Sequence, residues 1–205
     1  MSDVLIVALN GSPNKNGNTA FMLNTALGVC REMGAETEMI HCQEALKGMR
    51  NKFCVNCEVP CSGKCSRGKP LEKVFELLRR ADGLLVGSPV YFGTVSAQLK
   101  AFWDKTRFLR SEKAFLNVPA GALAVGASRF GGQETTIRAI HDILLVHGML
   151  VIGDGYWEYD CGHQGAAAQR PAETDENGIK RTVVIAKRLV EVARATQAIR
   201  RRTSG

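Results

Sequence analysis

The chain has 205 residues, 45% hydrophobic and 23% charged, which suits one globular domain over 1–205 and leaves little room for a second. Nothing in it reads as a membrane span, and the opening run Met-Ser-Asp-Val-Leu-Ile-Val-Ala-Leu-Asn lacks a basic leader, so the sequence places the protein in a reducing cytoplasm. The net charge of +7 is uneven: between 47 and 80, Lys47, Arg50, Lys52, Lys64, Arg67, Lys69, Lys73, Arg79 and Arg80 face only Glu58, Glu72 and Glu76, a net +6.

Residues 3–9 read as a buried strand. Asn18 or Thr19 can cap a helix running to about 33, where Gly34 stops it, and 38–41 is a second short strand. An irregular Cys-rich segment follows. Pro70 suits the first turn of a helix through Arg80, because a proline there forfeits no intrahelical bond. Beyond it come a strand at 84–87, a helix at 95–109, a strand at 120–126, a helix at 133–147, a strand at 150–152 and a closing helix at 179–200, with a long Gly-rich connection over 154–177. Alternation of helices with short, continuously apolar strands implies a parallel sheet covered on both faces.

In a doubly wound sheet, ligands bind beyond the carboxyl ends of the strands where the winding reverses. The loop after the first strand is Asn-Gly-Ser-Pro-Asn-Lys-Asn-Gly-Asn-Thr at 10–19, and Ser12, Pro13, Asn14, Lys15, Asn16, Gly17, Asn18 and Thr19 can surround a phosphate at the helix N-terminus. A polar turn with a helix cap would account for Asn18 or Thr19 but not for the whole cluster. The loop is neither a Walker loop nor a Gly-x-Gly-x-x-Gly turn. The second strand ends at His41 and Cys42 without the acidic residue that would hold a dinucleotide ribose, so a mononucleotide phosphate remains. The loop after the third strand carries Pro89, Val90, Tyr91, Phe92 and Gly93, where the two aromatics either stack on a planar ring or belong to the core. The loop after the fourth carries Ser128, Arg129, Gly131 and Gly132, whose glycines let backbone N–H groups approach a flavin edge.

Cys54, Cys57, Cys61 and Cys65 fall within twelve residues, inside an insertion at 47–69. In a reducing compartment that density reads as a ligand set rather than a disulfide framework. Four thiolates on a short, helix-free segment can each reach one corner of a [4Fe–4S] cubane. Zinc would also accept four Cys, though its usual signature is two close pairs separated by a longer stretch, and an empty loop remains a third reading. The basic run is either a solvated face or a means of offsetting an anionic cluster and attracting an acidic electron-transfer partner. Nucleic acid ranks last, because the run holds one aromatic, Phe53, and no binding motif. Cys30 lies on a helix and reads as core, with Cys42 and Cys161 separate from the set. His41, His141 and His147 read as structural, while His163 in the long loop is a candidate to border the pocket, roofed by Tyr156 and Trp157. No paired carboxylates and no Ser-His-Asp order point to hydrolysis.

The runs Gly-Ser-Pro-Asn-Lys-Asn-Gly-Asn-Thr from Gly11, Asp-Gly-Leu-Leu-Val-Gly-Ser-Pro-Val-Tyr-Phe-Gly-Thr-Val-Ser-Ala-Gln-Leu-Lys-Ala-Phe-Trp-Asp from Asp82 and Gly-Gly-Gln-Glu-Thr-Thr from Gly131 resemble the NADPH-dependent FMN reductase-like flavoproteins. The Cys segment resembles their iron-sulfur branch, although its gaps of two, three and three residues depart from that branch's two, two and a longer gap. The resemblance implies a flavodoxin-like α/β fold with strand order 2-1-3-4-5, FMN held by the three loops, and a [4Fe–4S] cluster on the Cys insertion. It further implies electron flow from a ferredoxin-like donor through cluster and FMN to a small acceptor such as a quinone or an oxygen species, in a homodimer or homotetramer. A cluster-free NAD(P)H-dependent FMN or quinone reductase and a non-enzymatic flavin carrier or regulator stay open beside it. In each case the cofactor carries the chemistry, and no protein nucleophile is demanded.

Overall fold

The computed structural model describes residues 4–200, so Asp3, where the sequence starts its first strand, lies outside them. Five parallel strands, β1 (Leu5–Asn10), β2 (Glu36–His41), β3 (Gly83–Pro89), β4 (Pro119–Gly126) and β5 (Leu150–Ile152), stand in the order β2-β1-β3-β4-β5, and the fold is flavodoxin-like. Every residue of β1 and β4 is buried, as a strand covered on both faces requires.

On one face α1 (Asn18–Glu32) and α7 (Glu176–Ala195) bury Met22, Leu23, Leu27, Ile185, Leu189 and Val190. On the other lie a short helix α2 (Cys42–Ala45), then α3 (Pro70–Arg80), α4 (Ala97–Lys105), α5 (Arg107–Ser111) and α6 (Gln133–Leu145), led by Leu71, Phe75, Phe102, Trp103, Ile137 and Leu144. Among the described residues no helix is long and apolar enough to cross a membrane.

Four expectations are corrected. The helix expected over 95–109 breaks at Thr106, whose buried Oγ1 donates to the Trp103 carbonyl at 2.7 Å and diverts the chain into α5. Neither Asn18 nor Thr19 caps α1: the N-cap is Gly17, with no side-chain hydrogen bond, and Asn18 Oδ1 instead accepts from the Ala172 N–H at 2.7 Å. The long connection at 154–177 holds a sixth strand, β6 (Ala166–Gln169), which pairs with the upper half of β4 once β5 has ended. The Cys segment is not helix-free, because Cys65 sits in a single 3₁₀ turn, Lys64–Ser66.

β1 and β3 are neighbours, yet their following helices α1 and α4 pack on opposite faces of the sheet. Their carboxyl ends therefore open into a crevice at the reversal point.

Candidate functional site

Three loops rim that crevice. In the first, each side chain accepts from backbone two residues on: Asn10 Oδ1 from Ser12 N at 2.9 Å, Ser12 Oγ from Asn14 N at 3.1 Å, Asn14 Oδ1 from Asn16 N at 3.1 Å. This ladder of Asx and Ser turns holds the loop open ahead of α1, whose first-turn N–H groups have no side-chain acceptor. Ser12 and Thr19 are buried, while Pro13, Asn14, Lys15 and Asn16 are exposed.

The second loop is a two-residue hairpin. Tyr91 N donates to Thr94 O at 3.0 Å and Thr94 N donates back at 3.2 Å, with Phe92 and Gly93 between them at φ +52° and +73°. Positive φ at both central residues is the geometry of a type I′ turn, which Phe adopts only under strain. Tyr91 and Phe92 are exposed and so are not core residues, whereas Pro89 and Val90 are half-buried.

The third loop is stapled to the second. Gly132 has φ +96°, and a Cβ there would stand 2.9 Å from Gly93 Cα, so two glycines are what allow the loops to touch. Thr135 Oγ1 donates to the Gly93 carbonyl at 2.6 Å. Ser128, Arg129 and Phe130 project into solvent. Buried Gln133 donates from Nε2 to the Ser128 carbonyl at 2.6 Å and to the Ala168 carbonyl at 3.3 Å, and accepts from Gly131 N at 2.9 Å. Ser96 ties the first loop to the second: its Oγ donates to the Gly11 carbonyl at 2.5 Å and accepts from Leu99 N at 3.1 Å, while its N–H donates to Ser88 Oγ at 3.0 Å.

The sequence reading missed Gln133 and Ser96. For Ser96 the available signal was an N-cap serine opening a helix, and for Gln133 a glutamine directly after two glycines.

A cavity of about 780 Å³ adjoins the third loop, lined among others by Arg129, Phe130, Gly132, His163, Arg170 and Thr174. His163 lines this cavity, with Nδ1 3.3 Å from the buried Asp154 carboxylate. Arg181 clamps Asp154 and Asp160 together at 3.0 and 2.9 Å, which pins the connection after β5 that carries His163. Tyr156 and Trp157 do not line that cavity. Cys30 and Cys42 are buried, and desolvation pushes the Cys30 thiol up to about 12.

The Cys loop rests against α5. Gly63, at φ +69°, passes so close to Phe108 that a Cβ would meet the ring at 2.6 Å. Arg79 covers that ring at 5.5 Å while gripping Glu112 with two bonds of 2.9 and 3.1 Å. Arg107 donates to Asn56 Oδ1. Within the loop, Glu58 accepts from Ser62 N at 3.0 Å and Lys64 Nζ at 2.7 Å, and these bonds, the Lys64 one foremost, hold its carboxyl down at about 2.

Among the described residues no three His, Cys, Asp or Glu side chains converge on a single metal-ion position. Burial raises the Cys65 thiol, opposed by the Lys105 ammonium and reinforced by Cys61, Cys57 and Cys54, so all four thiols share one electrostatic neighbourhood. Four Cys on one short loop are the donor set that a [4Fe–4S] cubane takes, and a tetrahedral zinc ion accepts the same set.

The NADPH-dependent FMN reductase family matches this chain over residues 4–164. An iron-sulfur flavoprotein of Methanocaldococcus jannaschii is 38% identical, covering 92% of this chain and 97% of that protein. An iron-sulfur flavoprotein of Methanosarcina thermophila is 36% identical, covering 94% and 96%. Among solved structures, a WrbA-like flavodoxin from Agrobacterium tumefaciens superposes with a TM-score of 0.68 at 18% identity, covering 95% of this chain and all of that one, a likeness of fold.

Proposed function

The chain belongs to the NADPH-dependent FMN reductase family and is a flavin oxidoreductase, and from that premise we propose that it couples a [4Fe–4S] cluster on its 47–69 insertion to FMN. In this reading an acidic, ferredoxin-like donor delivers electrons to the cluster, and a small acceptor such as a quinone or an oxygen species leaves reduced. Two one-electron donations and two protons from water take a quinone to its quinol.

FMN, when bound, supplies the step between one-electron entry and two-electron exit. The chain's residues provide the rest. Ser12 to Thr19 cradle the phosphate against the uncapped first turn of α1, where the helix dipole favours an anion. Pro89, Val90, Tyr91, Phe92 and Gly93 of the second loop, and Ser128, Arg129, Gly131 and Gly132 of the third, would hold its ring system. The Thr135 staple fixes the spacing of those loops before the ring arrives.

Cys54, Cys57, Cys61 and Cys65 ligate the cluster. The observation that carries this is their shared neighbourhood on a loop anchored at Asn56 and Gly63. Basic charge surrounds it: Lys64 is committed to Glu58 and Arg79 to Glu112, but Arg50, Lys52, Arg67, Lys69 and Lys73 make no ion pair among the described residues. Such charge steers an acidic donor to the point of electron entry. A dimer or tetramer belongs to the same reading, supported by the exposure of Phe92, Phe130 and Trp157.

The test is an absorption spectrum with iron and sulfide analysis of anaerobically purified protein, beside a Cys57→Ser variant. Flavin bands with a broad iron-sulfur shoulder are expected, the shoulder vanishing in the variant while FMN and its released identity persist. Reduction by ferredoxin should be lost in that variant. The large cavity bounded by Arg129 and Arg170 favours a second reading, direct reduction by NAD(P)H seated beside the third loop. Fast NADPH oxidation by cluster-free protein would install that reading in place of the first.

A further inference from the structure

Between β5 and β6 the chain carries an aspartate and histidine pair to which the reading above gives no task. Asp154 is 2% exposed, and His163 is locked to it in both directions: the His163 N–H donates to Asp154 Oδ1 at 2.9 Å, and the Asp154 N–H donates to the His163 carbonyl at 3.1 Å. Gly153 lets this pairing close, since a Cβ there would stand 2.7 Å from the His163 carbonyl oxygen. The backbone of His163 is therefore fixed. Its imidazole is not needed to satisfy Asp154, whose Oδ2 already accepts from Arg181 at 3.0 Å, yet Nδ1 stands 3.3 Å from that same oxygen.

A carboxylate beside one imidazole nitrogen keeps a proton there and leaves the other nitrogen to do the exchange. In His163 that other nitrogen, Nε2, makes no hydrogen bond among the described residues, and the side chain is 43% exposed. The residue lines the cavity of about 780 Å³ that Arg129 and Gly132 of the third loop also line, so it shares a space with groups assigned above to the flavin ring. The cavity's other charged side chains serve less well. Arg129 and Arg170 do not release protons, Asp175 is spent on Gln169 N at 2.7 Å and Gly178 N at 2.9 Å, and Glu134 has no partner among the described residues to orient it.

Resting on the quinone reading above, we propose that His163 is the proton donor to the bound quinone, with Asp154 as the residue that positions it. Two electrons and two protons convert a quinone to its quinol, and the electrons arrive through the cofactor. The Nε2–H bond of the imidazolium breaks as an O–H bond forms on the quinone oxygen turned into the cavity. Nδ1 keeps its proton beside Asp154, and water restores the one on Nε2. The other quinone oxygen takes its proton from water directly.

The test compares wild type with His163→Gln, which keeps polarity and size but cannot pass a proton. Each protein is photoreduced without air, so that no donor is involved, and mixed rapidly with benzoquinone or with ferricyanide, which takes electrons and no proton. Flavin reoxidation by benzoquinone should slow about a hundredfold in His163→Gln, with the ferricyanide rate unchanged. Nitrogen NMR of the purified, oxidised wild type at alkaline pH supplies a second readout. Of the four histidines, the one missing from the spectrum of His163→Gln should carry its proton on Nδ1 and leave Nε2 bare. Equal benzoquinone rates in the two proteins, equal slowing with both acceptors, or a His163 protonated on Nε2 alone would each overturn the inference and leave the function proposed above standing. Photoreduced wild type that ferricyanide reoxidises and benzoquinone does not would overturn the quinone reading itself and take this inference with it.

Discussion

The crevice loops and the Cys loop are held in place by different means. The crevice loops grow from the ends of three adjacent buried strands and are cross-linked by backbone contacts and buried side chains: Gly132 against Gly93, Thr135 on Gly93, Ser96 on Gly11, Gln133 on Ser128 and Ala168. The Cys loop leaves the sheet altogether and is held from outside by Arg107 on Asn56 and by Phe108 under Gly63. The first arrangement fixes the spacing of its loops; in the proposed reading the second leaves four thiols to settle around a cluster. A ring that must lie flat between loops needs fixed spacing, whereas a cluster draws its ligands in and contributes binding free energy to the fold of the loop.

The contrast is broken most directly at two glycines with similar backbone. Gly132 and Gly68 both have positive φ, but a Cβ at Gly132 meets the Gly93 backbone at 2.9 Å while one at Gly68 meets nothing within 4 Å. Strain and collision together should cost Gly132→Ala about 2 kcal/mol of loop geometry, read as roughly thirtyfold weaker FMN binding. Gly68→Ala carries the backbone strain only and should leave FMN affinity unchanged. Equal FMN dissociation constants for the two variants, by fluorescence titration, would remove the case for a preorganised crevice.

Charge at the Cys loop should act on rate instead. Reversal at Arg67 and Lys69, neither paired among the described residues, should slow reduction by an acidic ferredoxin about tenfold at low salt, and less at high salt, with the flavin spectrum intact. Stopped-flow traces at two ionic strengths decide it, and a salt-independent rate would confine the basic run to offsetting cluster charge.

Ser96→Ala removes a helix cap and the bond that holds Gly11, so about 1 kcal/mol should be lost, seen as roughly fivefold weaker FMN retention with the cluster undisturbed. Cluster loss in that variant would show the two regions to be one cooperative unit.

A test read in stability, rather than in binding or rate, lies where the two regions share a support. His147 packs edge-on to Trp103 with centroids 5.4 Å apart, its Nε2 is 3.0 Å from Thr106 Oγ1, and its buried Nδ1 has no partner. Because Thr106 Oγ1 already donates to the Trp103 carbonyl, Nε2 carries the proton and Nδ1 is bare. Burial lowers this group to about 4, from an ordinary value of 6.5. The unfolded chain therefore takes up a proton below pH 6.5 that the folded one refuses until about 4, and stability falls across that window, with no contribution from this group above it. Thermal melts at pH 7.5 and 4.5 should show a shallower pH dependence for His147→Phe than for wild type. Equal slopes would place the acid sensitivity elsewhere.

Much of this was legible in the chain. The apolar runs of β1 and β4 announced strands buried on both faces, Pro70 marked the start of α3, and Gly34 the end of α1. These are local rules, carried by neighbouring residues along one segment. The Asn, Ser and Gly composition of 10–19 and the density of Cys over 54–65 likewise drew attention to two chemistries before any fold was known. β6 stayed hidden because Ala166–Gln169 has no strand propensity of its own and exists as a strand only where β5 stops and β4 continues.

Asn18 looked like a cap, and its carbonyl oxygen instead holds a turn 154 positions away. Ser96 joins Gly11 across 85 positions, and Gln133 reaches Ala168 across 35. The sequence by itself determined which segments become strand or helix and which residue types stand ready at the strand ends, since both follow from side-chain periodicity and composition. The tertiary structure alone decided which polar groups pair, because burial and hydrogen bonding depend on what the fold brings close, and that is independent of distance along the chain.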